Sequence, residues 1–194
     1  MSVLDKIKAV NRKREVQLME RHTLVDESVE LRLAYLKGLA LACAIEREPA
    51  PAEWLAFGAI AASLDASPQE AKELFDERGN AGDEEIDALF VTLRSHNLGW
   101  LYLFDVAWIQ AASERLEPNE VELFDDVAPM LGINAERATK LLRPLVEFIR
   151  TKNLVELVGI MPQLPNDMKF QKFIYEILIG RFFFIRSYGE TKAG

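Results

Sequence analysis

The chain is poor in the residues that carry chemistry. It has one cysteine and two histidines among 194 residues. The single Cys43 excludes an intrachain disulfide and any zinc site built on cysteines. Its neighbours Leu41, Ala42, Ala44 and Ile45 are apolar, which predicts a buried, inert thiol. His22 and His96 stand far apart, so the zinc-hydrolase pattern of two histidines one helical turn apart is missing. No three of the ten glycines take dinucleotide-loop spacing, none precedes Lys-Ser or Lys-Thr, and there is no Gly-x-Ser-x-Gly elbow. The start, Met1-Ser2-Val3-Leu4-Asp5-Lys6, lacks the uninterrupted apolar stretch of a signal peptide. The most apolar region, 170–188, contains Lys172, Glu176, Arg181 and Arg186, too many charges for a spanning helix. These absences predict a soluble, cytoplasmic protein without catalytic machinery.

What is present is helical pattern. The composition, 49% hydrophobic and 28% charged, is that of a globular chain, and one of this length buries roughly 70% of its unfolded surface. Sliding the sequence against itself by about 67 residues gives an ungapped match. Residues 31–45 fall on 98–112, Pro51-Ala52-Glu53 on Pro118-Asn119-Glu120, and Phe57 on Phe124. Leu64-Asp65-Ala66-Ser67 lies over Leu131-Gly132-Ile133-Asn134, and Ala71 and Leu74 over Ala138 and Leu141. Apolar stripes recur at helical spacing: Leu33, Leu36, Ala40, Cys43 and Ala44, then Trp54, Phe57, Ile60, Ala61 and Leu64. The second copy repeats them with Leu101, Phe104, Trp108 and Ala111, then Val121, Phe124, Val127, Ala128 and Leu131. No segment alternates with a period of two, so the fold is predicted to be all-α, a compact multi-helix bundle.

Punctuation supports the same reading. Ser67-Pro68-Gln69-Glu70 combines a cap hydroxyl, a proline at the first helical position and a glutamate three residues on. Asn134 takes the cap role in the second copy. Pro51 and Pro118 open helices, Gly79-Asn80-Ala81-Gly82 breaks the chain before a helix over 85–95, and Pro144 starts or kinks another. The expected organisation is a charged N-terminal helix in 1–30, a first repeat in 31–97, a second in 98–150, and an apolar C-terminal helix in 151–194 packing on both. No Ser/Gly-rich linker separates the repeats, so they read as one domain.

The net charge of −8 is concentrated in the repeats, −6 over 31–97 and −4 over 98–150. Acids gather at equivalent inter-helix turns around Glu46 and Glu53 in one copy and Glu117 and Glu120 in the other. Such carboxylates are hard donors suited to Ca²⁺, Mg²⁺ or Mn²⁺, although they also favour helix N-termini and solubility. At the other end of the chain, Phe182, Phe183 and Phe184 form an aromatic cluster of the kind that anchors a protein partner, a homodimer contact or a membrane-surface contact.

The two turn regions resemble the TerB-like helical family of tellurite-resistance proteins and the N-terminal part of a membrane-anchored J-protein. In that family a Pro-x-Glu helix start leads to Leu-Gly-(Ile/Leu)-(Ser/Asn) before the next helix. Here the second copy has Pro118-Asn119-Glu120 and Leu131-Gly132-Ile133-Asn134, and the first has Pro51-Ala52-Glu53 and Leu64-Asp65-Ala66-Ser67. The family's Asp-Gly turn is replaced by Glu46-Arg47 and Ser113-Glu114. The resemblance implies an interaction scaffold in tellurite or membrane-stress response, working with a protein partner or a membrane-associated complex. It further implies weak metal binding at Glu53 and Glu120, with Glu46 in place of the family's Asp. A competing reading takes 126–142 as a helix-turn-helix whose Arg137, Lys140 and Arg143 meet phosphates. The acidic field of 31–150 opposes nucleic acid.

Overall fold

The computed structural model describes residues 22–44, 50–112 and 118–151, excepting the side chains of 118–122 and 148–151. Among them are seven helices and no strand: α1 Val29–Ala42, α2 Pro51–Ser63, α3 Pro68–Asp76, α4 Asp83–Ser95, α5 Gly99–Ala112, α6 Pro118–Met130 and α7 Ala135–Thr151. The expected helices at the two ends of the chain lie mostly outside the described residues. Residues 22–28 of the segment read as a helix are instead a run of turns, closed by Ser28, whose Oγ accepts the Leu31 N–H at 3.2 Å.

Local signals place the helix ends. Pro51 and Pro118 are the first residues of α2 and α6, each thirteen residues long. Both helices close with the same pair of backbone bonds. Ala66 N–H donates to Ala61 O and Asp65 N–H to Ala62 O; Ile133 N–H donates to Ala128 O and Gly132 N–H to Pro129 O. This Schellman pattern needs a left-handed residue, and Asp65 (φ 59°) and Gly132 (φ 73°) supply it at equivalent positions. Capping then starts α3 and α7 alike. Ser67 Oγ accepts the Glu70 N–H at 3.2 Å, and Asn134 Oδ1 accepts the Arg137 N–H at 2.9 Å. Asn97 (φ 55°) makes a third such turn between α4 and α5. Helix α7 runs on through Pro144, whose ring removes only the bond that would reach the Lys140 carbonyl.

Burial is far from even. Eleven of the fourteen residues of α5 are buried, against six of fourteen in α1. The reason is position: α5 packs on α1, α2, α4, α6 and α7 and forms the axis of the core. In α1 the fully buried side chains are Tyr35, Leu36, Leu39 and Ala40, while Leu33 of the predicted stripe is only half-buried. At the crossing of α1 and α5 the rings of Tyr35 and Tyr102 meet edge to face, 6.1 Å apart at 88°. These tyrosines occupy equivalent positions, and each hydroxyl crosses to the other helix. Tyr35 donates to Asp105 Oδ2 and Tyr102 to the Gly38 carbonyl, both at 2.8 Å. Gly38 and Asp105 are themselves equivalent, so the crossing is reciprocal. Gly38 fits the close approach: a Cβ would stand 3.0 Å from the Tyr102 ring and 3.2 Å from Leu89, so either neighbour would have to give.

Candidate functional site

The most polar feature of the interior surrounds Asp105 on α5, which is wholly buried. Its Oδ2 accepts from Tyr35 on α1 and pairs with Nε2 of His22 at 3.1 Å. His22, 1% exposed, lies in the segment before α1, and its own N–H donates to the Ser63 carbonyl at the end of α2. The Leu24 N–H donates to His22 Nδ1 at 3.2 Å, which leaves Nδ1 as acceptor and places the ring proton on Nε2, facing Asp105. Asp105 Oδ1 has no hydrogen-bond partner among the described residues. A histidine held by a carboxylate is one half of a general-base arrangement. Here, however, both groups and the tyrosine are closed off from solvent, and their hydrogen bonds tie the incoming chain, α1, α2 and α5 together.

The predicted acidic site divides differently. Glu53 sits one turn into α2 and is 4% exposed, with Oε2 accepting the Ala50 N–H at 3.0 Å. It therefore serves the N-terminus of its own helix. Its negative charge also acts on Cys43. Burial first, and Glu53 second, push that thiol up to about 12, with Arg78 working the other way. The Cys43 Sγ–H donates to the Leu39 carbonyl at 3.3 Å, and the inert buried thiol expected from its neighbours is what the structure contains. Glu46, Glu117, Phe182, Phe183 and Phe184 lie outside the described residues. So does the side chain of Glu120, whose backbone is the third residue of α6 just as Glu53 is the third of α2. No trio of His, Cys, Asp or Glu among the described residues is arranged to hold a metal ion.

The exposed face of α7 carries Arg137, Lys140 and Arg143. The Arg137 guanidinium lies over the Trp100 ring, 5.5 Å from its centre. Two surface grooves flank Lys140. One, of 340 Å³, is lined by Asn134, Glu136, Arg137 and Leu141; the other, of 570 Å³, by Asp125, Glu136, Thr139, Arg143 and Pro144. Thr139 donates to Asp125 Oδ1 at 2.7 Å and joins α7 to α6. Exposed Asp125 and Asp126 on α6 keep this face mixed in charge rather than uniformly basic.

No family model matches the chain, and neither a curated protein nor a solved structure matches it. No helix among the described residues is long and apolar enough to cross a membrane.

The sequence pattern pointed to Glu53, Cys43 and the α7 cations but missed the His22–Asp105–Tyr35 cluster. One signal was available: Asp105 is the single charged residue in the run 98–112. A lone carboxylate in such a stretch needs buried donors.

Proposed function

We propose that the chain is a non-enzymatic interaction scaffold of TerB-like type, built from two tandem helical units, 31–97 and 98–150, that pack as one body. The observation that carries this reading is where the polar chemistry lies. His22, Asp105 and Tyr35 are sealed in the interior, and Cys43 is a buried protonated thiol. What the protein offers to other molecules is therefore its helical surface. The matching helix starts and left-handed turns of α2–α3 and α6–α7 support the tandem arrangement. The partner is a protein or a membrane-associated complex of a stress response, engaged through the acidic turns and Phe182, Phe183 and Phe184. Weak binding of Ca²⁺, Mg²⁺ or Mn²⁺ would rest on Glu46, Glu117 and Glu120, since Glu53 is committed to its cap.

The test is capture from the native host with the full chain and with a Phe182→Ser, Phe183→Ser, Phe184→Ser variant, followed by reconstitution of each captured pair from purified components. A partner that binds the unaltered chain and loses at least tenfold in affinity with the variant supports the scaffold. Failure of every captured protein to bind in purified form overturns it. Calorimetric titration of the three ions into chelator-treated protein tests the metal, and absence of heat for all three ends that part. A nucleic-acid-binding regulator is the second reading, favoured by the exposed cations of the α6–turn–α7 pair. Absence of any retardation of mixed duplex fragments at low salt removes it.

A further inference from the structure

The exposed rows of α3 and α7 are electrostatic opposites at equivalent positions. Glu70 corresponds to Arg137, Glu73 to Lys140 and Asp76 to Arg143, and all six side chains are exposed. Spacing of three residues keeps each row on one side of its helix. Because Ser67 and Asn134 cap the two helices with the same bond to the third residue, the rows begin at the same height and angle on each helix. One helix thus presents a row of carboxylates in the geometry in which the other presents a row of cations, the cation row being flanked by exposed Glu136 and Glu147.

The two rows do not satisfy each other within one molecule. α3 packs on α1 and α2, whereas α7 packs on α5 and α6. No carboxylate of the described residues is within ion-pair distance of Arg137, Lys140 or Arg143. On α3 the hydrogen bonds of the acids are local, Ser67 N–H to Glu70, Gln69 to Glu73 and Lys72 to Asp76, and Arg32 of α1 adds a favourable charge near Glu70. With Glu77 also exposed, that face keeps a clear negative excess. Lys140 is exposed between two grooves, both also lined by Glu136 and one by Asp125, and neither carboxylate forms an ion pair with its ammonium.

We propose that α7 of one copy docks on α3 of a second copy of this chain, the cation row against the acid row. Charge complementarity at matched spacing identifies the occupant, because the chain carries its own complement on an element of the same geometry. If both α7-on-α3 contacts form between the same two copies, the pair closes as a two-fold dimer; if only one forms, the contact is heterologous and extends into rings or longer assemblies. Solvent-exposed ion pairs are individually weak. The association is therefore expected to be strongly salt-dependent, with the screening length falling from about 30 Å at 0.01 M to about 8 Å at 0.15 M.

Sedimentation equilibrium of the full chain tests this. At low salt the mean mass should rise with protein concentration, and at high salt it should return to that of one chain. Two charge swaps leave the Glu70 cap in place: Lys140→Glu with Arg143→Asp makes both rows net acidic, and Glu73→Lys with Asp76→Arg makes both net basic. Each variant alone should lose at least tenfold in self-association, and an equimolar mixture of the two should recover it. The milder Lys140→Ala and Glu73→Ala should each weaken association several-fold, which covers a swap that fails to fold. A chain monomeric at low salt, a swap that self-associates as before, or a mixture that stays monomeric overturns the proposal. So does a monomeric chain whose α7 retards duplex DNA. The inference stands apart from the scaffold reading: a monomer that captures a partner defeats only this one, and a dimer without a partner defeats only the other.

Discussion

The units α1–α3 and α5–α7 solve the same local problem and meet different surroundings. Both have a proline-opened helix, a left-handed closing residue and a side-chain cap at equivalent places. They part where the first helix of each meets the turn between its second and third helices. In the first unit Arg32 reaches across to the Leu64 carbonyl at 2.6 Å, with Asp65 at 4.0 Å. In the second unit the equivalent residue is Gly99, where a Cβ would stand 3.0 Å from Ile133 and 3.2 Å from Leu131. A long side chain bridges a gap in one unit, and the absence of a side chain closes it in the other. The same contrast recurs at Gly38 and Asp105, where one position gives a backbone carbonyl and the other a buried carboxylate. Local helix signals therefore recur while their environment does not, and only α5 packs on five other helices.

That contrast can be broken at four points. The largest effect is expected for Asp105→Ala, which strands the His22 and Tyr35 donors. Loss of a buried, hydrogen-bonded charge partner costs about 3 kcal/mol or more, read as a lower urea midpoint. Next come the two tyrosine hydroxyls. Tyr35→Phe removes a bond to a carboxylate and should cost about 2 kcal/mol, whereas Tyr102→Phe removes one to a carbonyl and should cost about 1 kcal/mol. Equal losses in chemical denaturation would mean that the reciprocal hydroxyls do equivalent jobs.

The turns should respond with opposite signs. Gly132→Ala forces a side chain into the left-handed region and should destabilise by about 1 kcal/mol. Asp65→Gly relieves that conformation and should be neutral or stabilising by up to about 1 kcal/mol, the loss of its contact near Arg32 working against it. Thermal melts of the pair decide it. The smallest effect concerns Cys43. With its thiol pushed up to about 12 by burial and Glu53, labelling by a thiol reagent at pH 8 should be negligible in the folded chain and complete in denaturant. Rapid labelling of the native protein would place the thiol elsewhere.

Much of the architecture was legible in advance. The caps at Ser67 and Asn134, the prolines at 51 and 118 and the break at 79–82 lie where helices start and stop. The α5 stripe was harder, because a helix buried on nearly every side has no polar face to betray its orientation. The charged pattern of 1–30 reads as one helix because no breaker interrupts it, whereas residues 22–28 are turns, with His22 docked on Asp105. Of the predicted metal residues, Glu53 has a definite structural role in the described region, its cap.

The sequence by itself determined the class of secondary structure and the places where helices begin and end. Such signals act over a single turn of chain, between a cap and an N–H three residues away, or between a left-handed residue and the carbonyl it frees. Only the tertiary structure decided which helix lies at the centre, which carboxylate is buried and which tyrosine serves it. His22 and Asp105 are 83 residues apart and Tyr35 and Asp105 are 70 apart. No local pattern encodes a bond over that span, and the pairing follows from how α1 and α5 cross.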